Sequence, residues 1–484
     1  MRVLPVSLQF CLLGLGLAAC VTTDKPSVSS DDRPPNILFI MADDMGYGDP
    51  ACYNPDSKIE TPTIDSLAAE GIRFTDAHSP GALCVSSRYG LLTGRYPCRK
   101  NSLRPGREAV IDEGRVTIAS LLKSQGYRTG MIGKWHLGFD GGVNDPGSEM
   151  FGGPIDRGFD DFFGMHASLD IPPYYYIRGR VPVAPPTEFV QDSSTAGWTA
   201  IQGAFWRKGK IAPGFDHAEV QTRFEEEAIT WLDTRAQQPE EPFFLYVALA
   251  APHTPWLPSR EFEGTSAADL YGDFVAQVDA GVGRILAALE RNGQAKDTLI
   301  IFTSDNGPVW YPADVERLGH DSVCGLRGMK ADAYEGGHRV PFIAKWPGHI
   351  PQGCSNDALV CFTDVLSTLA ELTSAPLPKE NTRDGFSLLS ALLDPDARTQ
   401  RESLILKAGA TAYRKGRWKL ITHPGSGGFT RSPKADEDSV KPAGQLYDLE
   451  VDLAETSNLW NEHPEVVKQL HAELEREQSL EAER

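Results

Sequence analysis

The apolar run within residues 36–41 (Asn-Ile-Leu-Phe-Ile-Met) has no polar face and is too short for a typical helix, the pattern of a strand buried on both sides of a sheet. Comparable runs at 72–75, 128–132, 242–249, 298–303 and 340–345 predict further strands. Between them, apolar positions recurring every three or four residues predict helices over 62–70, 85–92, 117–125, 217–236, 268–292 and 362–373. Gly126 and Gly293 stand where two of these helices stop. Strands alternating with helices predict an α/β fold: a large, mostly parallel sheet sandwiched by helices.

Two regions break the alternation. Residues 139–213 are rich in Gly, Pro and aromatics (Pro172-Pro-Tyr-Tyr-Tyr176 among them) and show no regular pattern, as expected of long loops that shape a substrate site. After residue 399 short strand-like pieces at 403–407, 412–414, 417–422 and 445–449 sit between turns, and a charged amphipathic helix at 464–478 follows. The expected organisation is a large α/β domain over 36–400 and a small α+β subdomain over 401–484. No internal repeat is present.

Composition narrows the function. The 484 residues are 41% hydrophobic and 23% charged, ordinary for a globular protein, with a formal net charge of −19. That balance argues against nucleic acid as a partner, because phosphate binding needs a basic surface. It also requires any anion site to be a local basic cluster inside an acidic shell.

Residues 1–19 read as a secretory leader, with Arg2 ahead of an apolar run at 8–17. The sequence Leu17-Ala-Ala-Cys20 has the form of a lipoprotein signal, so Cys20 is expected to carry lipid and residues 20–35 to form a flexible tether. The expected location is periplasmic or at the cell surface, held to a bacterial membrane only by that anchor. Of the eight cysteines, Cys52, Cys98, Cys324, Cys354 and Cys361 remain after Cys11, Cys20 and Cys84 are set aside. Their odd number leaves at least one thiol unpaired, and Cys354 with Cys361 is the pairing expected.

In open α/β sheets ligands sit beyond the carboxyl ends of the strands. Four predicted strands end in polar residues: Asp43 and Asp44, Lys134 and His136, His253, and Asp305 with Asn306. Asp-Asp and Asp-Asn-Gly are also common turn sequences, so each alone carries little weight. Together they suggest convergence. Asp43, Asp44, Asp305 and Asn306 offer only oxygen donors, which suit Ca²⁺, or Mg²⁺, over zinc or copper. Arg88, Lys134, His136, His253 and Lys330 supply the basic cluster. At the start of a predicted helix stands Cys84-Val-Ser-Ser-Arg88, and an arginine at i+4 lies on the same helix face as the cysteine.

This segment, with its Leu-Leu-Thr-Gly-Arg tail at 91–95, resembles the activation signature of the formylglycine-dependent sulfatases, arylsulfatase-like members of the alkaline phosphatase superfamily. The family pattern has Pro or Ala at the third position, where this chain has Ser86. Asp43, Asp44, Cys84, Arg88, Lys134, His136, His253, Asp305, Asn306 and Lys330 fall on family motif positions in the family's order. The resemblance is specific over 36–347 and looser to Leu459, and it implies that the C-terminal strands form a small antiparallel sheet.

The resemblance further implies that a formylglycine-generating maturation enzyme oxidises Cys84 to an aldehyde, whose hydrate attacks sulfur while touching a metal held by Asp43, Asp44, Asp305 and Asn306. Arg88, Lys134 and Lys330 would hold the sulfate oxygens. His253, with Lys330, would protonate the leaving alcohol, and His136 would deprotonate the second hydroxyl. The expected substrate is a sulfated saccharide or aryl sulfate, attacked at a chain end. A phosphate or phosphonate monoester hydrolase of the same fold, or a non-catalytic glycan-binding lipoprotein, would use much of the same sequence.

Overall fold

A computed structural model of the chain describes residues 33–103, 108–144, 149–430 and 442–480. The expected leader, Cys20 and most of the tether lie outside these residues. Strand β1 (Asn36–Asp43) is buried along its whole length and alternates between two cores: Ile37, Phe39 and Met41 enter one, Leu38, Ile40 and Ala42 the other. Burial on both faces is why its sequence has no polar side.

Among the described residues ten strands form the large sheet. After β1 they are β2 (Ile72–Phe74), β3 (Arg128–Lys134), β4 (Asp161–Met165), β5 (Ile177–Arg178), β6 (Val181–Pro182), β7 (Phe243–Pro252), β8 (Thr298–Ser304), β9 (Phe342–Lys345) and β10 (Cys354–Asn356). Their order is β10-β2-β9-β8-β1-β7-β3-β4-β5-β6. The central five, β8, β1, β7, β3 and β4, run parallel. Antiparallel pairing appears only toward the edges, as β9 with β8 and β2, and β5 with β4 and β6.

Helices cover both faces. Helices α1 (Pro62–Ala69), α4 (Val220–Arg235) and α5 (Asp269–Arg291) place Ile64, Phe224 and Val278 in one core, while α2 (Cys84–Thr93), α3 (Ile118–Ser124) and α6 (Thr363–Leu372) place Leu91, Leu121 and Leu366 in the other. Each such side chain contributes about 1.5–3 kcal/mol by leaving water. Helix α3 starts at a reciprocal cap, Ser120 N donating to Thr117 Oγ1 at 3.1 Å and Thr117 N to Ser120 Oγ at 2.9 Å.

Register brings the strand ends together. Asp43 pairs with Pro252, Ala42 with Ser304, and Gly133 with Ala248, so β1, β7, β8 and β3 finish at one edge of the sheet.

The region 139–213 holds more order than its composition predicts. Strand β4 lies in it, paired with β3, and Gly164 there is required by close approach: a Cβ would stand 1.8 Å from the Gly133 carbonyl oxygen. A glycine inside a strand reads as a break in the pattern, which hid this one.

The C-terminal strands β11 (Ser403–Lys407), β12 (Thr411–Lys415), β13 (Trp418–Ile421) and β14 (Gln445–Asp448) form an antiparallel sheet. Helix α7 (Pro464–Ser479) packs Val467, Leu470 and Leu474 against its Leu404, Leu420 and Leu446. The expected Cys354–Cys361 link does not form, since Cys361 is a free buried thiol. Cys361 belongs to the core of the small sheet, whereas Cys354 packs into a core of the large one. Among the described residues no helix is long and apolar enough to cross a membrane.

Candidate active site

Cys84 is the first residue of α2, entered from extended Leu83, and its Sγ lies 3.4 Å from Asp43 Oδ1 and 3.5 Å from Lys330 Nζ. Asp44 turns in the left-handed region (φ 64°) and collects partners from three separate segments. Its carboxylate accepts from Asn306 Nδ2 and from Lys330 Nζ, each at 2.7 Å, and His253 Nε2 stands 3.7 Å away. The Asp44 N–H donates to Asp305 Oδ1 at 3.1 Å. His253 Nδ1 donates to the Thr254 carbonyl at 2.6 Å, which leaves Nε2 as the nitrogen facing the site.

Arg88 makes no hydrogen bond to the thiol of Cys84. It runs beneath it, fully buried, with Nη1 donating to the Lys134 carbonyl at 2.8 Å, Nη2 to Asp305 Oδ2 at 3.0 Å, and Asp43 Oδ2 at 3.5 Å. Lys134 pairs with the same Asp43 oxygen. These two cations therefore neutralise the carboxylates from below, while Lys330, His136 and His253 line the cavity above.

The charges are mutually adjusted. Burial alone would raise the Asp43 carboxyl, but Lys134, His253, Arg88 and Lys330 outweigh it and hold it far below the usual carboxylate range. Asp305 is pushed up by burial and by the charge of Asp43, against Arg88. Burial opposes the charge on Lys330, yet Asp44, Cys84 and Asp43 keep it firmly protonated. His136 is pushed well down by burial and by Lys134 and Arg88, which hold it as a neutral imidazole. Burial, Asp305 and Asp43 drive the Cys84 thiol up, which makes the unmodified sulfur a poor nucleophile.

The donor set fits a hard divalent cation. Ligand atoms of Asp43, Asp44, Cys84 and His253 lie within 4.8 Å of one another. Asn306 Oδ1 is buried and has no hydrogen-bond partner among the described residues, a cost that an ion beside it would remove. Asp43, Asp44, Asp305 and Asn306 would hold it through oxygen alone.

Above this floor is a cavity of about 380 Å³ whose walls include Leu103, Ile171, Trp256 and Val309, with Asp170 and Arg207 as a polar pair. Sequence reasoning missed these wall residues because they come from irregular loops. It also missed Asp49, whose buried carboxylate receives Gly46 N and Ser322 Oγ at 2.6 Å, Tyr271 Oη at 2.5 Å and His320 Nε2 at 2.8 Å. This knot pins the turn after Asp44, and nothing in the local sequence links Asp49 to such distant partners.

The sulfatase family model matches residues 35–375. The chain is 33% identical to an N-acetylgalactosamine-6-O-sulfatase of Bacteroides thetaiotaomicron, over 95% of this chain and 96% of that one. It is 36% identical to human arylsulfatase A, over 88% of this chain and 83% of that one. Among solved structures, a Bacteroides thetaiotaomicron protein described for the metabolism of multiple glycosaminoglycans superposes with a TM-score of 0.80 at 32% identity, over 93% of this chain and all of that one. With the Cys84 motif, the strand-end carboxylates and the basic residues gathered at one edge of the sheet, the chain belongs to the sulfatase family, which are sulfuric ester hydrolases.

Proposed function

We propose that the protein removes sulfate from the terminal residue of sulfated saccharides, through a formylglycine made from Cys84 and with a divalent cation in its carboxylate cluster. The observation that carries this reading is the cavity, whose floor is Asp44, Cys84, His136, His253 and Lys330 and whose volume of about 380 Å³ suits one sulfated sugar ring. Asp170 in its wall supplies a buried carboxylate oxygen without a hydrogen-bond partner among the described residues, an acceptor for a sugar hydroxyl. The likeness to an N-acetylgalactosamine-6-O-sulfatase supports a 6-O-sulfated hexosamine as substrate.

Conversion of the thiol to an aldehyde hydrate supplies two hydroxyls at position 84. One gives its proton to the carboxylate cluster beside position 84 and attacks sulfur, so that a new oxygen–sulfur bond forms as the ester oxygen–sulfur bond breaks. His253, in its imidazolium form with the Nδ1 proton kept on the Thr254 carbonyl, gives the departing alcohol the proton on Nε2, and Lys330 offsets charge on the sulfate oxygens. Neutral His136 then takes the proton of the second hydroxyl. The aldehyde C=O reforms, the carbon–oxygen bond to sulfate breaks, and water restores the hydrate. Asp43, Asp44, Asp305 and Asn306 would hold a divalent cation, which would supply positive charge to offset the carboxylates and make the attacking hydroxyl more acidic. Arg88 and Lys134 hold those carboxylates in place.

The test compares initial rates on 6-O- and 4-O-sulfated disaccharides and on the parent polysaccharide at low and moderate salt. The likeness to the 6-O-sulfatase predicts that the 6-O disaccharide is preferred over the 4-O one, and the acidic shell predicts that the polymer suffers most at low salt. Faster attack on internal sulfates of the polymer at both ionic strengths would overturn the proposal. We also propose export with lipid on Cys20, on the Leu17-Ala-Ala-Cys20 sequence. A mature chain with a free Cys20 thiol would refute that part.

A further inference from the structure

Side chains of the small sheet reach the catalytic domain: Arg414 meets Asp76, Tyr447 meets Arg327 and Lys419 meets Glu335. Lys419, in β13, is fully buried, and its ammonium meets Glu335 Oε1 at 2.9 Å, Glu455 Oε1 at 2.8 Å and His338 Nε2 at 3.0 Å. An ammonium only donates, so His338 Nε2 accepts and the proton of that ring sits on Nδ1. It points at His78 Nδ1, 2.9 Å away, and His78 Nε2 then donates to Asp76 Oδ1 at 2.8 Å. Both rings are satisfied as neutral imidazoles. Glu455 closes the cluster from the same side, its Oε2 accepting the Glu335 N–H at 2.6 Å.

What this clamp holds is the turn Glu335–His338. The Gly307 N–H, beside Asn306, donates to the Gly337 carbonyl at 3.0 Å, and the Gly336 N–H donates to the Arg327 carbonyl at 2.7 Å, three residues ahead of Lys330. There is no slack between them: a Cβ on Gly307 would lie 1.9 Å from the Gly336 oxygen, and one on Gly336 would lie 2.6 Å from the Gly328 oxygen. The turn is wedged between the loop carrying Asn306 and the loop carrying Lys330.

We infer that Lys419 is a positioning residue for the active site: by tying Glu335 and His338 to the small C-terminal sheet, it sets the turn against which Asn306 and Lys330 are held. The small sheet thereby completes the site, although none of its strands contributes a side chain to the cavity floor. This rests on the proposed roles of Asn306 and Lys330, so the test reads cation affinity and folding besides turnover.

The experiment uses full-length, matured Lys419→Met and Lys419→Met/Glu455→Gln. The double variant removes a negative charge with the positive one, so it does not leave an additional uncompensated carboxylate in the core. Thermal melting reports folding, calorimetric titration of chelator-treated protein with calcium chloride reports cation affinity, and an aryl sulfate reports kcat and KM. In the folded double variant, calcium affinity and kcat should each fall at least about tenfold while KM moves less than about threefold. A lower melting temperature with unchanged calcium affinity and kcat would overturn the inference. So would a double variant that does not fold, since Lys419 would then serve the fold and not the site. Unmutated protein that binds no calcium or hydrolyses no sulfate ester would instead refute the proposed function, in a separate sample.

Discussion

Arg88 and Asp305 stand 3.0 Å apart, Nη2 to Oδ2, with neither side chain more than 1% exposed. The guanidinium reaches Asp305, Asp43 and the Lys134 carbonyl at once, a fork that no lysine can reproduce. Arg88→Met should therefore lose about 3–5 kcal/mol of stability, because it leaves carboxylates buried with too little positive charge. Calcium should restore more stability to the variant than it adds to the parent, since both cations offset the same carboxylates. Denaturant melts with calcium and with chelator measure this; a variant as stable as the parent in chelator would contradict it.

The cation site can be read without turnover. A ligand that binds only the folded state adds about 2.7 kcal/mol at a concentration one hundred times its Kd. Calcium should raise the melting temperature of chelated protein, and Asn306→Ala should need a higher calcium concentration for the same rise. An equal response in the two proteins would remove Asn306, and with it the meaning of its unpartnered Oδ1, from the ligand set.

Modification at position 84 has a mass signature. The thiol is pushed far above its ordinary range, so activity should follow its conversion to an aldehyde, which makes the peptide about 18 Da lighter. Mass spectrometry of active enzyme should find that peptide, and Cys84→Ala should fold but show no turnover. Full activity in a preparation whose Cys84 is wholly unmodified would defeat the proposed chemistry.

The parts of the site that the sequence reveals are those attached to regular strands. Asp43, Lys134, His253 and Asp305 each follow an apolar run, and parallel strands in register carry their ends to one edge, so their meeting follows from topology alone. The direction of Arg88 does not follow from its i+4 spacing, which puts it on the face of Cys84 but does not show that carboxylates beneath outcompete the thiol for it. The wall residues Asp170, Arg207 and Trp256, and the brace at Asp49, are placed by irregular backbone and distant partners, where no periodicity exists to read. The strand Asp161–Met165 escaped for a narrower reason: its Gly164 is needed for contact with Gly133 but looks like a break.

Glu455 gives the fold a pH dependence of its own. Burial, with the charge of Glu335 nearby, pushes its carboxyl up to about 7 despite Lys419. A carboxyl raised in the folded state binds more protons there than in the unfolded chain, so its contribution to stability falls as pH rises from about 4.5 to about 7 and is level above that. Glu455→Gln cannot ionise and should gain stability relative to the parent across that window, on the order of 2 kcal/mol in the difference. Denaturant unfolding of both proteins at pH 5 and pH 7.5 measures it, and a difference that does not change with pH would show that Glu455 does not titrate there.

Asp170 separates recognition of the sugar from recognition of the sulfate. Its carboxylate pairs with Arg207 through one oxygen, while Oδ1 is buried in the wall of the cavity without a hydrogen-bond partner among the described residues. A hydrogen bond from a sugar hydroxyl to a charged acceptor contributes about 1.5–3 kcal/mol, roughly one to two powers of ten in affinity. An aryl sulfate has no such hydroxyl to offer. Asp170→Ala should therefore lower kcat/KM for a sulfated disaccharide at least about tenfold, mostly through KM, and leave a small aryl sulfate within about threefold. Because the substitution also frees the guanidinium of Arg207, Asp170→Ala/Arg207→Ala should show the same selectivity if the lost acceptor is the cause. Equal losses on disaccharide and aryl sulfate would mean that Asp170 supports the cavity wall and does not read the sugar.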